Sequence, residues 1–313
     1  MNPILEVENV GRRFESPGLN PLIAVDGVSF KLASGETLGI VGESGCGKST
    51  LARMVLKLLS VSAGRIRLDG ADITDLPEAQ MRPLRRGIQA VFQDPMSSLN
   101  PRMRVRDIVA EPMRAAGIDA ATREARVREM LSIVGLPADA AERYPHAFSG
   151  GQRQRIAIAR ALASSPKLVV CDEATSALDV SVQAQVLNLL GELRARYGLS
   201  MLFISHNLGA VRYIADRVAI MYLGRIVEIG PVGAIFDKPA HPYTEALIAA
   251  VPEPDPDLPV PEALLGEIPN ARERPSGCHF HPRCPKAQDR CRVEDSALVA
   301  GLDGRQVRCH FPN

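Results

Sequence analysis

The run Gly42-Glu43-Ser44-Gly45-Cys46-Gly47-Lys48-Ser49-Thr50 fits G-x-x-x-x-G-K-[ST], a pattern whose chemistry is the holding of phosphates. Its glycines let backbone N–H groups close around phosphate oxygens, Lys48 reaches the β- and γ-phosphates, and the hydroxyl that follows supplies an oxygen to Mg²⁺. A second group of capable residues ends the apolar run Leu168-Val169-Val170-Cys171. Here Asp172 can hold the Mg²⁺ shell and Glu173 can polarise an attacking water. His206 follows another apolar run, Met201–Ile204, at the end of a strand where open α/β sheets hold their ligands.

These groups need elements to position them. Leu38–Val41 reads as a buried strand and Leu51–Leu56 as a helix, so the glycine-rich loop sets a helix N-terminus at the phosphates. Ile4–Val10 alternates as a strand, with Phe14 in a polar turn after it. Between Asp94 and Ala163 the pattern turns helical: Val127, Met130, Leu131 and Val134 recur at helical spacing, and Pro137 stops that helix after Gly135. Ser149, Gly150 and Gly151 open a helix that begins near Gln152, exposing N–H groups and a positive dipole end suited to a phosphate.

With 313 residues, 46% of them hydrophobic, and a formal net charge of +1, the chain can bury a sizeable core and has no electrostatic bias toward nucleic acid. No apolar run approaches the ~18–20 residues needed to span a bilayer, and the first residues lack a charged n-region and h-region. A cytoplasmic protein is expected. The basic stretch Arg82–Arg86 reads as a solvated helix face.

Over nearly its first three quarters the chain resembles the ABC-type ATPases. The resemblance implies a P-loop NTPase (RecA-like) α/β core with an α-helical subdomain, binding ATP and Mg²⁺. It places Gly42 to Thr50 in the P-loop and makes Gln93 the Q-loop glutamine that touches Mg²⁺ and water. Asp172 and Glu173 become the Walker B carboxylate and the general base, Asp179 a D-loop residue, and His206 the switch histidine on the γ-phosphate. Phe14 takes the place of the adenine-stacking aromatic. Ser149, Gly150, Gly151 and Gln152 match the signature that completes the opposite subunit's site. Phe148 stands where leucine is common, and Asn207 where aspartate often follows the histidine. The expected boundaries are 1–235 for the ATPase domain, with the helical subdomain at about 95–163, and 236–313 for a C-terminal extension.

Three longer strings, Phe92-Gln-Asp-Pro-Met-Ser-Ser-Leu-Asn-Pro-Arg102, Tyr144-Pro-His-Ala-Phe148 and His241-Pro-Tyr-Thr-Glu-Ala-Leu247, resemble the oligopeptide/dipeptide permease ATPases and their nickel and glutathione relatives. That implies an importer ATPase peripheral to the cytoplasmic face of the inner membrane. Its partners would be two transmembrane permease subunits, a second ATPase in a heterodimer or homodimer, and indirectly an extracytoplasmic solute-binding protein. A soluble, metal-responsive ABC ATPase is the alternative that the cysteines leave open.

After the core, a proline-rich acidic linker over Val251–Pro261 reads as extended and semi-rigid. It leads to Cys278, Cys284, Cys291 and Cys309, four of the six cysteines. In a reducing compartment such a group points to metal rather than disulfides. Four thiolates can hold zinc, with His279, His281 or His310 replacing one, or an iron-sulfur cluster, or they can stand as reduced structural cysteines. The resemblance to the peptide-permease C-terminal segment implies a [4Fe-4S] cluster, acting as a staple for a segment too small to hold itself together. Cys46 stands at a position that needs only a small residue, and Cys171 reads as a small buried hydrophobe.

Overall fold

A computed structural model describes residues 3–251 and 266–313. The linker expected over 251–261 lies, beyond Val251, outside the described residues. Along the chain run β1 (Pro3–Ser16), β2 (Leu19–Ala33), β3 (Thr37–Val41), α1 (Lys48–Val55), β4 (Ala63–Leu68), β5 (Ala71–Asp72), α2 (Glu78–Met81), β6 (Ile88–Phe92), α3 (Pro95–Ser98), α4 (Val105–Ala115), α5 (Ala120–Ile133), α6 (Gly150–Ala163), β7 (Leu168–Asp172), α7 (Val180–Tyr197), β8 (Ser200–Ile204), α8 (Leu208–Ile214), β9 (Arg217–Tyr222), β10 (Arg225–Pro231), α9 (Val232–Asp237), α10 (Pro242–Ala249), α11 (Asp289–Val293), β11 (Val299–Ala300) and β12 (Gln306–Val307). The chain divides into two compact units. The first holds residues 1–5, 32–37 and 67–205, the second 6–31, 38–66 and 206–313.

In the first unit β6, β7 and β8 pair in parallel, in the registers Phe92↔Asp172 and Asp172↔Ile204. Every residue of β7 and β8 is buried, as expected of strands covered on both faces, and so they read as continuous apolar runs. The helical stretch begins with α3. Helix α4 buries Val105, Ile108, Val109 and Met113, and α5 buries Val127, Met130 and Leu131. Asp119 caps α5 by accepting from the Thr122 N–H at 2.9 Å. The helix ends where Gly135 takes φ 71° and the Leu136 N–H donates to the Leu131 carbonyl at 2.8 Å, a left-handed C-terminal stop before Pro137.

In the second unit β3 pairs in parallel with β9, in the register Val41↔Ile220, and β10 pairs antiparallel with β9. A separate sheet carries β2, β1 and β4 side by side. Phe14 corrects one expectation: it lies within β1, not in a turn after it, because pairing between two neighbours carries the strand on to Ser16. The Arg12 guanidinium covers its ring at 4.7 Å.

The C-terminal segment packs into this second unit. Strand β12 pairs with β10 in the register Glu228↔Val307, and β11 pairs with β12. Phe280, 2% exposed, sits with its ring centroid 5.3 Å from both Tyr222 and Tyr243. Asp26 receives Arg225 and Arg274, each at 2.7 Å. Burial works to raise that carboxyl's pKa, and the two guanidiniums outweigh it and hold it below the usual carboxylate range.

Removing the ring that these contacts surround should loosen the whole unit. Phe280→Ala is expected to cost about 3–5 kcal/mol, read as a lower denaturant midpoint with the slope unchanged; an unshifted midpoint would place Phe280 outside the core.

Candidate functional site

The glycine-rich loop leaves β3 at Val41 and enters α1 at Lys48. Gly47, the N-cap, has φ 105°, and a Cβ there would lie 2.1 Å from the Ala24 carbonyl oxygen. Only glycine allows that approach. Lys48 is 4% exposed, and its Nζ donates to the carbonyls of Gly42 at 2.7 Å and Glu43 at 3.0 Å. A buried ammonium must find such partners, and here the loop's own backbone supplies them. Ser49 and Thr50 stand half-buried in the first helical turn, while Ser44 and Gly45 are exposed. The Cys46 thiol is buried, and burial raises its pKa although Lys48 works against this.

Sequence reasoning missed what holds Glu43. Its carboxylate takes a bidentate pair from Arg283, at 2.8 and 3.0 Å, and its N–H donates to the Tyr243 hydroxyl at 3.1 Å. The partners are more than 190 positions away, and no local pattern marks them. His206, in the same unit, is exposed two residues past β8. Asn207 caps α8, its Oδ1 accepting from the Ala210 N–H at 3.0 Å. Either a carboxylate or an amide serves there, which explains the tolerance of asparagine.

In the first unit the registers end β6 and β7 together, setting Gln93 and the Asp172-Glu173 pair at one sheet edge. Gln93 is exposed, Asp172 is 8% exposed, and Glu173 takes a left-handed φ of 52°. Its N–H donates to the Ile204 carbonyl at 2.9 Å, which fixes this uncommon conformation. Asp179 is exposed at the start of α7.

Helix α6 begins at Gly150, two residues before the expected start, because Ser149 is its N-cap. A capping box closes it: Ser149 Oγ accepts from the Gln152 N–H at 3.4 Å, and Gln152 Oε1 accepts from the Ser149 N–H at 3.0 Å. A Cβ on Gly151 would meet Val182 Cγ1 at 2.4 Å, so glycine sets how closely α6 and α7 approach. Gln154, fully buried and also missed in the sequence, donates to the Ala174 carbonyl at 2.6 Å and ties α6 to the segment that follows Glu173. Beside Phe92, a cleft of about 340 Å³ is lined by Gln89, Ser98, Glu111, Pro112, Ala115 and Arg160.

Cys278, Cys284, Cys291 and Cys309 line one small cavity with Phe280 and Phe311. Burial, with the other thiols nearby, pushes Cys278 up to about 11 and raises Cys284 and Cys309. Of the histidines weighed as zinc ligands, His281 and His310 line the same cavity, with His281 Nδ1 3.0 Å from the Cys278 carbonyl and His310 Nε2 2.9 Å from that of Glu294. Among the described residues no group of three or more His, Cys, Asp or Glu is placed to hold a metal ion. Cys171 is fully buried, its thiol pushed up to about 12 by burial.

The ABC transporter family profile matches residues 25–176, and that of the oligopeptide/dipeptide transporter C-terminal region matches 227–291. A peptide ABC transporter ATP-binding protein of Sinorhizobium fredii is 54% identical over 92% of this chain and 82% of its own length. A di/tripeptide transport ATP-binding protein of Pseudomonas aeruginosa is 47% identical over 99% of this chain and 98% of its own. Among solved structures, a dimeric ATP-binding cassette in a post-hydrolysis state with ADP and Pi superposes with TM-score 0.67 at 27% identity, over 73% of this chain and 98% of that one.

The approach at Gly47 can be tested directly. Gly47→Ala is expected to weaken triphosphate binding at least about tenfold, through displacement of the loop; equilibrium titration giving an unchanged Kd would show that the loop tolerates a side chain there.

Proposed function

This chain belongs to the ATP-binding proteins of oligopeptide- and dipeptide-type ABC transporters, and from that premise we propose how its residues divide the work. The protein hydrolyses ATP to energise peptide import. Residues 42–50 hold the triphosphate, with Lys48 on the β- and γ-phosphates. Ser49, Gln93 and Asp172 hold Mg²⁺, Glu173 is the general base for in-line attack by water, and His206 holds the γ-phosphate and that water. Phe14, whose ring the Arg12 guanidinium covers at 4.7 Å, stacks on adenine. What carries the hydrolytic reading is the register Phe92↔Asp172, which ends two strands with the glutamine and both carboxylates at one edge.

The domain assignment follows the same lines, with the ATPase at 1–235, the helical subdomain at about 95–163 and the extension at 236–313. The capping box engages the amides of Ser149 and Gln152, so Gly150 and Gly151 are the residues whose amides a helix start offers an anion. With Asp179, they complete the site of an opposing ATPase subunit, either a second copy or a related chain. The dimeric cassette with ADP and Pi supports that arrangement. A helix of a transmembrane permease subunit docks in the cleft beside Phe92. Among the described residues no helix is long and apolar enough to cross a membrane. The protein acts at the cytoplasmic face of the inner membrane on two permease subunits, with a solute-binding protein delivering the peptide outside.

Cys278, Cys284, Cys291 and Cys309 hold a [4Fe-4S] cluster, a reading supported by four thiols around one cavity with no carboxylate among its lining residues. Bound there, the cluster supplies a covalent tie between segments; the thiols give up protons to take it.

Glu173→Gln is expected to cut ATP turnover by roughly 10²–10⁴-fold while ATP still binds, and retention of more than half the wild-type rate would remove Glu173 from this role. Anaerobic purification should yield brown protein with iron and sulfide in equal amounts. Colourless protein with intact cysteines would reject the cluster and leave the ATPase reading standing.

A further inference from the structure

The cysteine-rich segment reaches the phosphate loop through one side chain. Arg283 precedes Cys284 in the 3₁₀ turn His281–Arg283, and its side chain is only 3% exposed. It forms the two-pronged pair with Glu43, Nη1 to Oε2 at 2.8 Å and Nη2 to Oε1 at 3.0 Å. A guanidinium keeps its charge at any physiological pH. Three groups of Glu43 are thereby engaged at once: the carboxylate by Arg283, the N–H by Tyr243, and the carbonyl by the Lys48 ammonium. Phe280, three residues before Arg283, is locked between Tyr222 and Tyr243, which fixes the base from which the arginine reaches.

We propose that Arg283 is a positioning residue for ATP binding: through Glu43 it sets the path of the phosphate loop, so that the C-terminal extension tunes nucleotide affinity. A carboxylate at the second position of the loop has no phosphate to bind and would repel one. Paired with a buried guanidinium, it is neutralised and becomes an anchor. The fork geometry fixes direction as well as charge, and the atom it steadies is one peptide away from the carbonyls that hold Lys48. When phosphate arrives Lys48 must leave those carbonyls, and the anchor keeps the loop open in the shape that the phosphate needs.

The test uses the full chain with its cysteines intact. Arg283→Gln is expected to raise the Kd for ATP and the KM about tenfold with kcat little changed. Glu43→Gln should do the same, and the double variant no more than either single one. An arginine that only stabilised the fold would lower the active fraction, hence the apparent kcat, and leave KM where it was. Should Arg283→Gln not fold, Arg283→Lys, which keeps the charge and loses the fork, is expected to raise Kd about threefold. Wild-type Kd in a folded Arg283 variant, or additive effects of the two single changes, overturns the proposal. Failure of the wild-type chain to bind ATP would instead overturn the ATPase reading on which it rests.

Discussion

A buried ammonium has to be answered by oxygen, and at Lys48 that requirement shapes everything around it. Its charge lies in a site 4% exposed, where an unpaired cation would cost several kcal/mol. The carbonyls of Gly42 and Glu43 supply the answer, and they can do so only if the loop curls back on itself. That curl demands glycine at 47, against Ala24. It also demands rigid neighbours, supplied by the fully buried β3 and its partner β9. Any ligand that draws Lys48 away has to offer the ammonium oxygens in place of those two carbonyls.

How much of this was legible in the sequence depends on the range of the interaction. The phosphate loop is written in nine adjacent residues, and the buried strands in short apolar runs, because both are local patterns. The stop of α5 is likewise local: Gly135 in a left-handed turn and Pro137 after it. Phe14 misled because a polar surrounding reads as a turn, whereas pairing on both sides kept β1 extended. Glu173's left-handed backbone had no sequence mark at all; it follows from a hydrogen bond to Ile204 on the neighbouring strand. The pair between Glu43 and Arg283 spans 240 positions, and neither residue belongs to an apolar period or a motif that would have announced the other.

The C-terminal segment shows how a stretch with few apolar residues is held. A piece this small buries too little surface to fold alone, so it borrows a core. Phe280 enters an aromatic cluster whose other members come from β9 and α10, and β12 borrows hydrogen-bond partners from β10. Its arginines are drawn to carboxylates near the loop and β2: Arg274 to Asp26, Arg283 to Glu43. Ion pairs alone would be worth little at a surface. Here the Arg283 side chain is 3% exposed, so its pair is specific, and breaking one half leaves a charge without an answer.

That last point ties the extension to the nucleotide by thermodynamic necessity. If the position of Glu43 affects how well ATP binds, then ATP must affect how firmly Glu43 holds Arg283, and by the same factor. Such a link needs no large motion. It requires only that the loop's two arrangements, Lys48 on its own carbonyls and Lys48 on phosphate, differ in what they ask of the intervening peptide. Glu43 contributes one of those carbonyls and also carries the carboxylate that Arg283 grips, so it cannot be indifferent to the exchange. A change that loosens the cysteine-lined segment, whatever its chemical origin, therefore reaches Arg283 first and the phosphate loop next.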